Sequence, residues 1–396
     1  MGTVPGLPVL HLVMGIGILT LGADLLVRGA AALALRLGLS PLLIGLTVVA
    51  FGTSMPEVAV SVGSAIIGDG SVALGNVLGS NIFNILVVLG GAAVIRPLVV
   101  HRHLVRLDVP VMIGTAALVL LLSLNGRITR FEGAFLLALG ILYTFLLVRA
   151  GLEAEGNGGG PSLDESRAVE GMTARSSHRV QGDGQAPPAP YLPLQLLWIG
   201  LGLVLLVTGA HFLVRGAEAL ARAVGVSELI IGLTVVAAGT SLPELATSFV
   251  AAVRGQRDIA VGNVVGSNIF NALVVLGVAS IAAGPAGIGV PEGVLTFDFP
   301  LMLAVSVACL PIFFTGWSIS RWEGWVFLGY YGAYLLYLVL SHTEHAGEDL
   351  IRAVLIFFAA PLTLLTLVVL VMRQLRAASS RPGDPPRAEG GPDPGP

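Results

Sequence analysis

Ten apolar runs, each near the ~20 residues a helix needs to cross a hydrocarbon layer of ~30 Å, divide this chain almost from end to end. They lie near residues 8–30, 40–67, 72–95, 105–124, 131–149, 192–215, 227–253, 260–283, 299–316 and 323–341. An eleventh, from Ile351 to Met372, contains Pro361 and ends at Arg373 and Arg376. Only 11% of the 396 residues are charged, against about 25% in an average soluble domain, and helices satisfy their own backbone where no water can. The chain is therefore expected to be an all-α polytopic membrane protein and not a soluble enzyme. Its 52 glycines suit such packing, because small residues let membrane helices approach closely. A single cysteine, Cys309, excludes an intrachain disulfide and a thiol-rich zinc site. The net charge of −3 offers no clustered basic face for nucleic acid.

All 21 basic residues other than histidine are arginine, and arginine is retained on the cytoplasmic side of a membrane. An N-terminus outside places most of them inside, among them Arg28, Arg36, Arg96, Arg102, Arg106, Arg254 and Arg257; the C-terminus is then cytoplasmic if the eleventh helix spans. The first run lacks the basic start of a signal peptide, and its Leu21-Gly22-Ala23 to Arg28-Gly29-Ala30 stretch recurs at Thr208-Gly209-Ala210 to Arg215-Gly216-Ala217. It reads as the first span. Residues 151–190 have no aromatic residue and read as a disordered cytoplasmic linker; residues 377–396 are a tail of the same character.

Two long matches organise the rest. Gly45-Leu-Thr-Val-Val-Ala-Phe-Gly-Thr-Ser-Met-Pro-Glu57 recurs from Gly232 to Glu244 with 11 of 13 residues identical, and Gly75-Asn-Val-Leu-Gly-Ser-Asn-Ile-Phe-Asn-Ile-Leu-Val-Val-Leu-Gly90 recurs from Gly262 to Gly277 with 14 of 16. Both recur at an offset of 187 residues, so the chain is two homologous halves: residues 1–150, and residues 191–342 beyond the linker. Residues 343–376 are left as an extra C-terminal helix. Five spans per half is an odd number, which turns the second half over in the membrane. Two inverted five-helix repeats bring equivalent segments together near the midplane, where secondary transporters of this architecture hold their ions.

Glu57 and Glu244 are then expected to meet. A charged carboxylate without a partner costs several kcal/mol in the membrane core, and no Lys or Arg lies in these spans to neutralise either one. Cations or protons must do so. Thr53, Ser54 and Glu57 face one side of a helix, as do Thr240, Ser241 and Glu244; Ser80 with Asn84, and Ser267 with Asn271, repeat the same four-residue spacing. Pro56 and Pro243 remove the amides that would bond the Gly52 and Gly239 carbonyls. The set is all oxygen, without imidazole or thiolate, and so suits a hard ion such as calcium, which takes 6 to 8 oxygen ligands.

These paired Gly-Thr-Ser-x-Pro-Glu and Gly-Asn-x-x-Gly-Ser-Asn-Ile-Phe-Asn segments resemble the two alpha repeats of the sodium/calcium exchanger family, within the cation/calcium antiporter superfamily. The resemblance covers the ten-span body. It implies a Na+/Ca2+ antiporter of the cell membrane, prokaryotic in type, with Glu57 and Glu244 as shared ligands of calcium and sodium. It further implies that Thr53 and Thr240 hold calcium, that the backbone carbonyls of Ala50 and Ala237 serve flanking sodium sites with Ser54, Ser241, Ser80 and Ser267, and that Asn84 and Asn271 line the middle. Some relatives, including potassium-dependent ones, carry Asp at one of those Asn positions, so potassium co-transport is not expected. A Ca2+/H+ antiporter using the same carboxylates is the alternative, a cation channel a more distant one. No resident cofactor is implied, and the oligomeric state is not legible.

Other polar residues read as structural. Thr129-Arg-Phe-Glu132 and Ser320-Arg-Trp-Glu323 have capping-box spacing. Asp108-Val-Pro110 and Asp298-Phe-Pro300 read as N-caps followed by an early-turn proline. Asp24 and His211 occupy equivalent positions without being identical, which suggests local roles; His101 and His103 read as a solvated loop. Gly75 to Gly79 is not followed by the lysine of a phosphate loop.

Overall fold

The computed structural model describes residues 7–156, 192–223, 237–314 and 316–342, with Val368 and Met372. The tail, residues 157–190 of the expected linker, most of the eleventh helix and the first part of the seventh apolar run lie outside the described residues; the first six residues of the expected linker, 151–156, instead continue the helix that begins at Arg130. Among those described, seven helices are long and apolar enough to cross a membrane, or eight when a bent pair is counted as one. The principal helices in chain order are α1 (Leu7–Leu37), the bent pair α2 (Pro41–Thr53) and α3 (Met55–Ile66), α4 (Gly70–Ile95), α5 (Leu104–Ser123), α6 (Arg130–Gly156), α7 (Leu192–Ala223), the shorter α8 (Leu242–Val253), α9 (Arg257–Ala282), α10 (Val294–Phe314) and α11 (Arg321–His342).

The ends of these helices follow local chemistry. Ser40 accepts the Leu43 amide at 3.2 Å ahead of Pro41, which sits in the first turn where its missing N–H costs nothing. Asp69 accepts the Val72 amide and so caps α4. The turns into α4 and α9 use Gly68 at φ +88° and Gly255 at φ +80°, a left-handed conformation that glycine adopts without Cβ strain. The capping box at Thr129 forms in both directions, Glu132 Oε2 accepting the Thr129 amide at 2.7 Å and Thr129 Oγ1 the Glu132 amide at 3.3 Å; at the second, Glu323 Oε2 accepts both the Ser320 amide at 2.7 Å and the Ser320 hydroxyl at 2.6 Å.

Asp108 and Asp298 are not caps. A wide π-turn, Leu104–Asp108 in one half and Val294–Asp298 in the other, carries the helix through each position. The amide of Val109 then reaches back five residues to Leu104, a spacing that tolerates the proline that follows. The two aspartates instead accept hydroxyls from the neighbouring helix, Tyr143 to Asp108 at 3.1 Å and Tyr334 to Asp298 at 3.0 Å.

Helices α1 and α7 pack along their lengths on glycines seven residues apart, Gly15, Gly22 and Gly29 against Gly202, Gly209 and Gly216. Gly15 lies opposite Leu213, Gly22 opposite Leu206 and Gly29 opposite Ile199, so these equivalent helices run antiparallel. A Cβ on Gly22 would stand 2.8 Å from the Leu206 amide nitrogen, and one on Gly209 2.6 Å from that of Leu19. The contact is backbone against backbone. Along the outer faces Val9, Val13, Ile16, Phe135, Ile141, Phe145, Leu197 and Val204 stand exposed, an apolar surface that water does not favour and lipid does.

The core belongs to α4 and α9, the most buried of the long helices. Two short strand pairs tie the halves together outside it: Leu98 opposite Ile319, and Ile128 opposite Ile288. Asp24 of α1 receives Arg28 at 2.9 Å and also pairs with Arg254, beyond the end of α8. His211, its counterpart, lies edge-on to Phe212.

Candidate ion-binding site

The site begins with a break in a helix. Pro56 has no amide to offer the Gly52 carbonyl, Ser54 leaves the helical conformation at φ −84° and ψ 8°, and α2 and α3 meet at a bend of 43°. Ser241 does the same at φ −87° and ψ 8°, ahead of Pro243. Each carboxylate is thereby carried in the first turn of the helix after the break, Glu57 in α3 and Glu244 in α8.

Both carboxylates are fully buried, and each is held by the other half. Ser54 Oγ donates to Glu244 Oε1 at 3.0 Å, and Ser241 Oγ to Glu57 Oε1 at 3.0 Å. Ser80 also reaches Glu57 Oε1, at 3.4 Å. The remaining oxygens, Glu57 Oε2 and Glu244 Oε2, are buried without a hydrogen-bond partner, and no ion pair reaches either group among the described residues. Two buried carboxyl groups with one oxygen each unsatisfied call for a cation or protons to neutralise them.

The other expected residues gather around them. Thr53 and Thr240 are buried or half-buried beside the opposite half, and Ser80 lies 3.5 Å from Thr240. Ser267 is buried, and its hydroxyl has no hydrogen-bond partner among the described residues. Asn84 and Asn271 are buried with neither side-chain amide atom partnered among the described residues, and each is the first residue of a π-turn, Asn84–Leu89 and Asn271–Val275. Such turns interrupt the regular carbonyl ladder and recur at functional sites. The Ala50 carbonyl accepts the Ser54 amide at 3.1 Å and lies 3.4 Å from the Thr53 hydroxyl. Ala237 opens the short helical segment Ala237–Gly239.

Four further asparagines, to which the sequence alone assigns no role, complete the arrangement. Asn76 and Asn263 each join their own half's glutamate backbone to the opposite half's threonine. Asn81 Nδ2 donates to the Asn268 carbonyl at 3.3 Å and Asn268 Nδ2 to the Asn81 carbonyl at 3.4 Å, 187 residues apart. Their amides also lie 3.7 Å from Met302 Sδ and Met112 Sδ. The signal that could have found them is the duplication itself, in which both pairs recur at the common offset.

The family described as sodium/calcium exchanger protein matches residues 7–149 and 194–340, most of the chain and both halves. The chain belongs to this family. It is accordingly a multi-pass membrane transporter and not an enzyme. Among curated relatives it is 37% identical to the inner membrane protein YrbG of Escherichia coli, over 60% of this chain and 67% of that one. It is 37% identical to the putative antiporter CaxA of Alkalimonas amylolytica, over 53% and 60%. With the sodium/calcium exchanger MaX1 of Methanosarcina acetivorans it shares 33% identity over 67% and 80%. A solved structure of the sodium-calcium exchanger NCX_Mj soaked with 2.5 mM Na+ and 1 mM Sr2+ has a TM-score of 0.67 and 28% identity, covering 85% of this chain and 99% of that one. Another, soaked with 2.5 mM Na+ and 0.1 mM Ca2+, has a TM-score of 0.65 and 29% identity over 82% and 95%.

Proposed function

We propose that this exchanger-family member is a secondary antiporter that moves Na+ against Ca2+ by alternating access, with Glu57 and Glu244 as the shared ligands. One observation carries the reading. Each carboxylate spends one oxygen on a serine of the opposite half and keeps the other unsatisfied within an all-oxygen enclosure. A charge near −2 is cancelled by one calcium or by two sodium ions, and competition for the same oxygens couples the two fluxes. Thr53 and Thr240 serve calcium; Ser54, Ser241, Ser80 and Ser267, with the Ala50 and Ala237 carbonyls, serve sodium; Asn84 and Asn271 line the centre. The likeness to MaX1, a sodium/calcium exchanger, and to NCX_Mj, a sodium-calcium exchanger, supports this assignment.

Ten spans in two inverted five-helix halves are the architecture this reading requires. The antiparallel packing of α1 on α7 and the reciprocal contacts at 187 residues support it. We place the protein in a prokaryotic plasma membrane with the N-terminus outside, following its arginines. In Na+-loaded proteoliposomes diluted into Na+-free medium, radioactive calcium uptake should rise at least tenfold over liposomes without a Na+ gradient. A proton gradient should not replace it. Uptake driven by protons alone would favour the Ca2+/H+ reading, and uptake that needs no counter-ion would favour a channel.

A further inference from the structure

A hydroxyl that ligates a cation must turn its lone pairs to the ion and send its single proton elsewhere. The two candidate threonines have that destination built in. In the first half Asn76 stands against the carbonyl of Glu57, 3.3 Å from Nδ2. A carbonyl only accepts, so the NH2 end of the Asn76 amide must face it, and Oδ1 must face the other way. The same Nδ2 reaches Ser61 Oγ at 2.9 Å, and Ser61 passes its own proton toward the Ala73 carbonyl. Oδ1 then receives Thr240 Oγ1 at 3.1 Å. Because Oδ1 cannot donate, the proton on that bond is the threonine's.

The second half repeats every link. Asn263 Nδ2 lies 3.4 Å from the Glu244 carbonyl and 3.0 Å from Ser248 Oγ, Ser248 faces the Ala260 carbonyl, and Asn263 Oδ1 receives Thr53 Oγ1 at 3.1 Å. Thr53 has a second acceptor at 3.4 Å in the Ala50 carbonyl, but the amide oxygen is nearer. The close agreement of the two halves, link by link, comes from different residues on different helices.

Resting on the antiporter reading above, we infer that Asn76 and Asn263 are positioning residues that withdraw the hydroxyl protons of Thr240 and Thr53, fixing both threonines as acceptors toward the transported cation. Neither asparagine needs to touch the ion. Each acts on the threonine of the opposite half, so the bracket also joins the two halves at the ligands themselves.

Double-mutant cycles on Ca2+ affinity of the full-length protein, measured by titration of Ca2+ into detergent-purified material, separate this role from simple packing. N76A and T240V should each weaken Ca2+ binding about tenfold, the scale of one neutral ligand, and the double variant should be no weaker than T240V alone. N76A combined with T53V, which share no bond, should show additive losses. N263A with T53V gives the same cycle from the other half and stands if an Asn76 variant does not fold. Additive losses in both cross-half pairs, or wild-type affinity in folded N76A and N263A, would overturn the inference. Absence of Na+-competed Ca2+ binding in the wild type would instead remove the antiporter reading on which it rests.

Discussion

E57Q and E244Q should each abolish Na+-driven Ca2+ uptake while leaving a folded, membrane-inserted protein. Glutamine keeps the shape of the side chain and can still accept the serine proton at Oε1, but it removes one of the two charges that balance a divalent ion. Truncating a partner in a buried charge pair costs roughly 2–5 kcal/mol, which at about 1.4 kcal/mol per tenfold puts the loss of Ca2+ affinity near 30-fold to several thousand-fold. Flux in proteoliposomes, normalised to protein recovered in the monodisperse peak after detergent extraction, measures it. S54A and S241A remove only a neutral donor from the same carboxylates, and a loss several-fold smaller is expected. Wild-type exchange by either folded glutamine variant would remove the shared-ligand assignment.

The second large effect belongs to packing. In G22V and G209V the new side chain meets backbone atoms of the facing helix, Leu206 N and Gly202 O in the first case, Leu19 N and Gly15 O in the second. Backbone cannot rotate aside as a side chain does, so α1 and α7 must separate along the seam. Overpacking of this kind costs about 1–3 kcal/mol at one site, and the seam repeats every seven residues, so the whole contact loosens. A lower melting temperature in detergent, poor folded yield and severely reduced flux are expected. Gly17 and Gly200 stand on the same two helices with open space where a Cβ would sit; G17V and G200V should behave as wild type. Equal stability of G22V and G17V would refute the backbone seam.

Much of this architecture is legible in the sequence because the membrane makes apolar length informative. The run near 105–124 is the helix Leu104–Ser123, and the run near 260–283 is Arg257–Ala282. The duplication makes the candidate site legible as well: two glutamates, each following Gly-Thr-Ser-x-Pro at one offset, lie in hydrogen-bond reach of the opposite half's Ser54 and Ser241. What stays hidden depends on partners across the halves. Asn76 and Thr240 are 164 residues apart, and no spacing within either segment announces their contact. The glycine seam has a readable period of seven, but its meaning depends on α1 meeting α7. The π-turns at Asn84 and Asn271 leave no compositional mark, and those ending at Asp108 and Asp298 turn a capping pattern into a helix interior.

In the proposed cycle, competition at a single pair of carboxylates couples the two ions, and equilibrium Ca2+ binding to the purified protein at rising Na+ tests that claim most directly. If one calcium and at least two sodium ions neutralise the same charges, the apparent Ca2+ affinity falls more steeply than the first power of Na+ concentration, potassium has no such effect, and E57Q binds Ca2+ at least about 30-fold more weakly. A Ca2+ affinity that does not change with Na+, or that survives intact in E57Q, would contradict it.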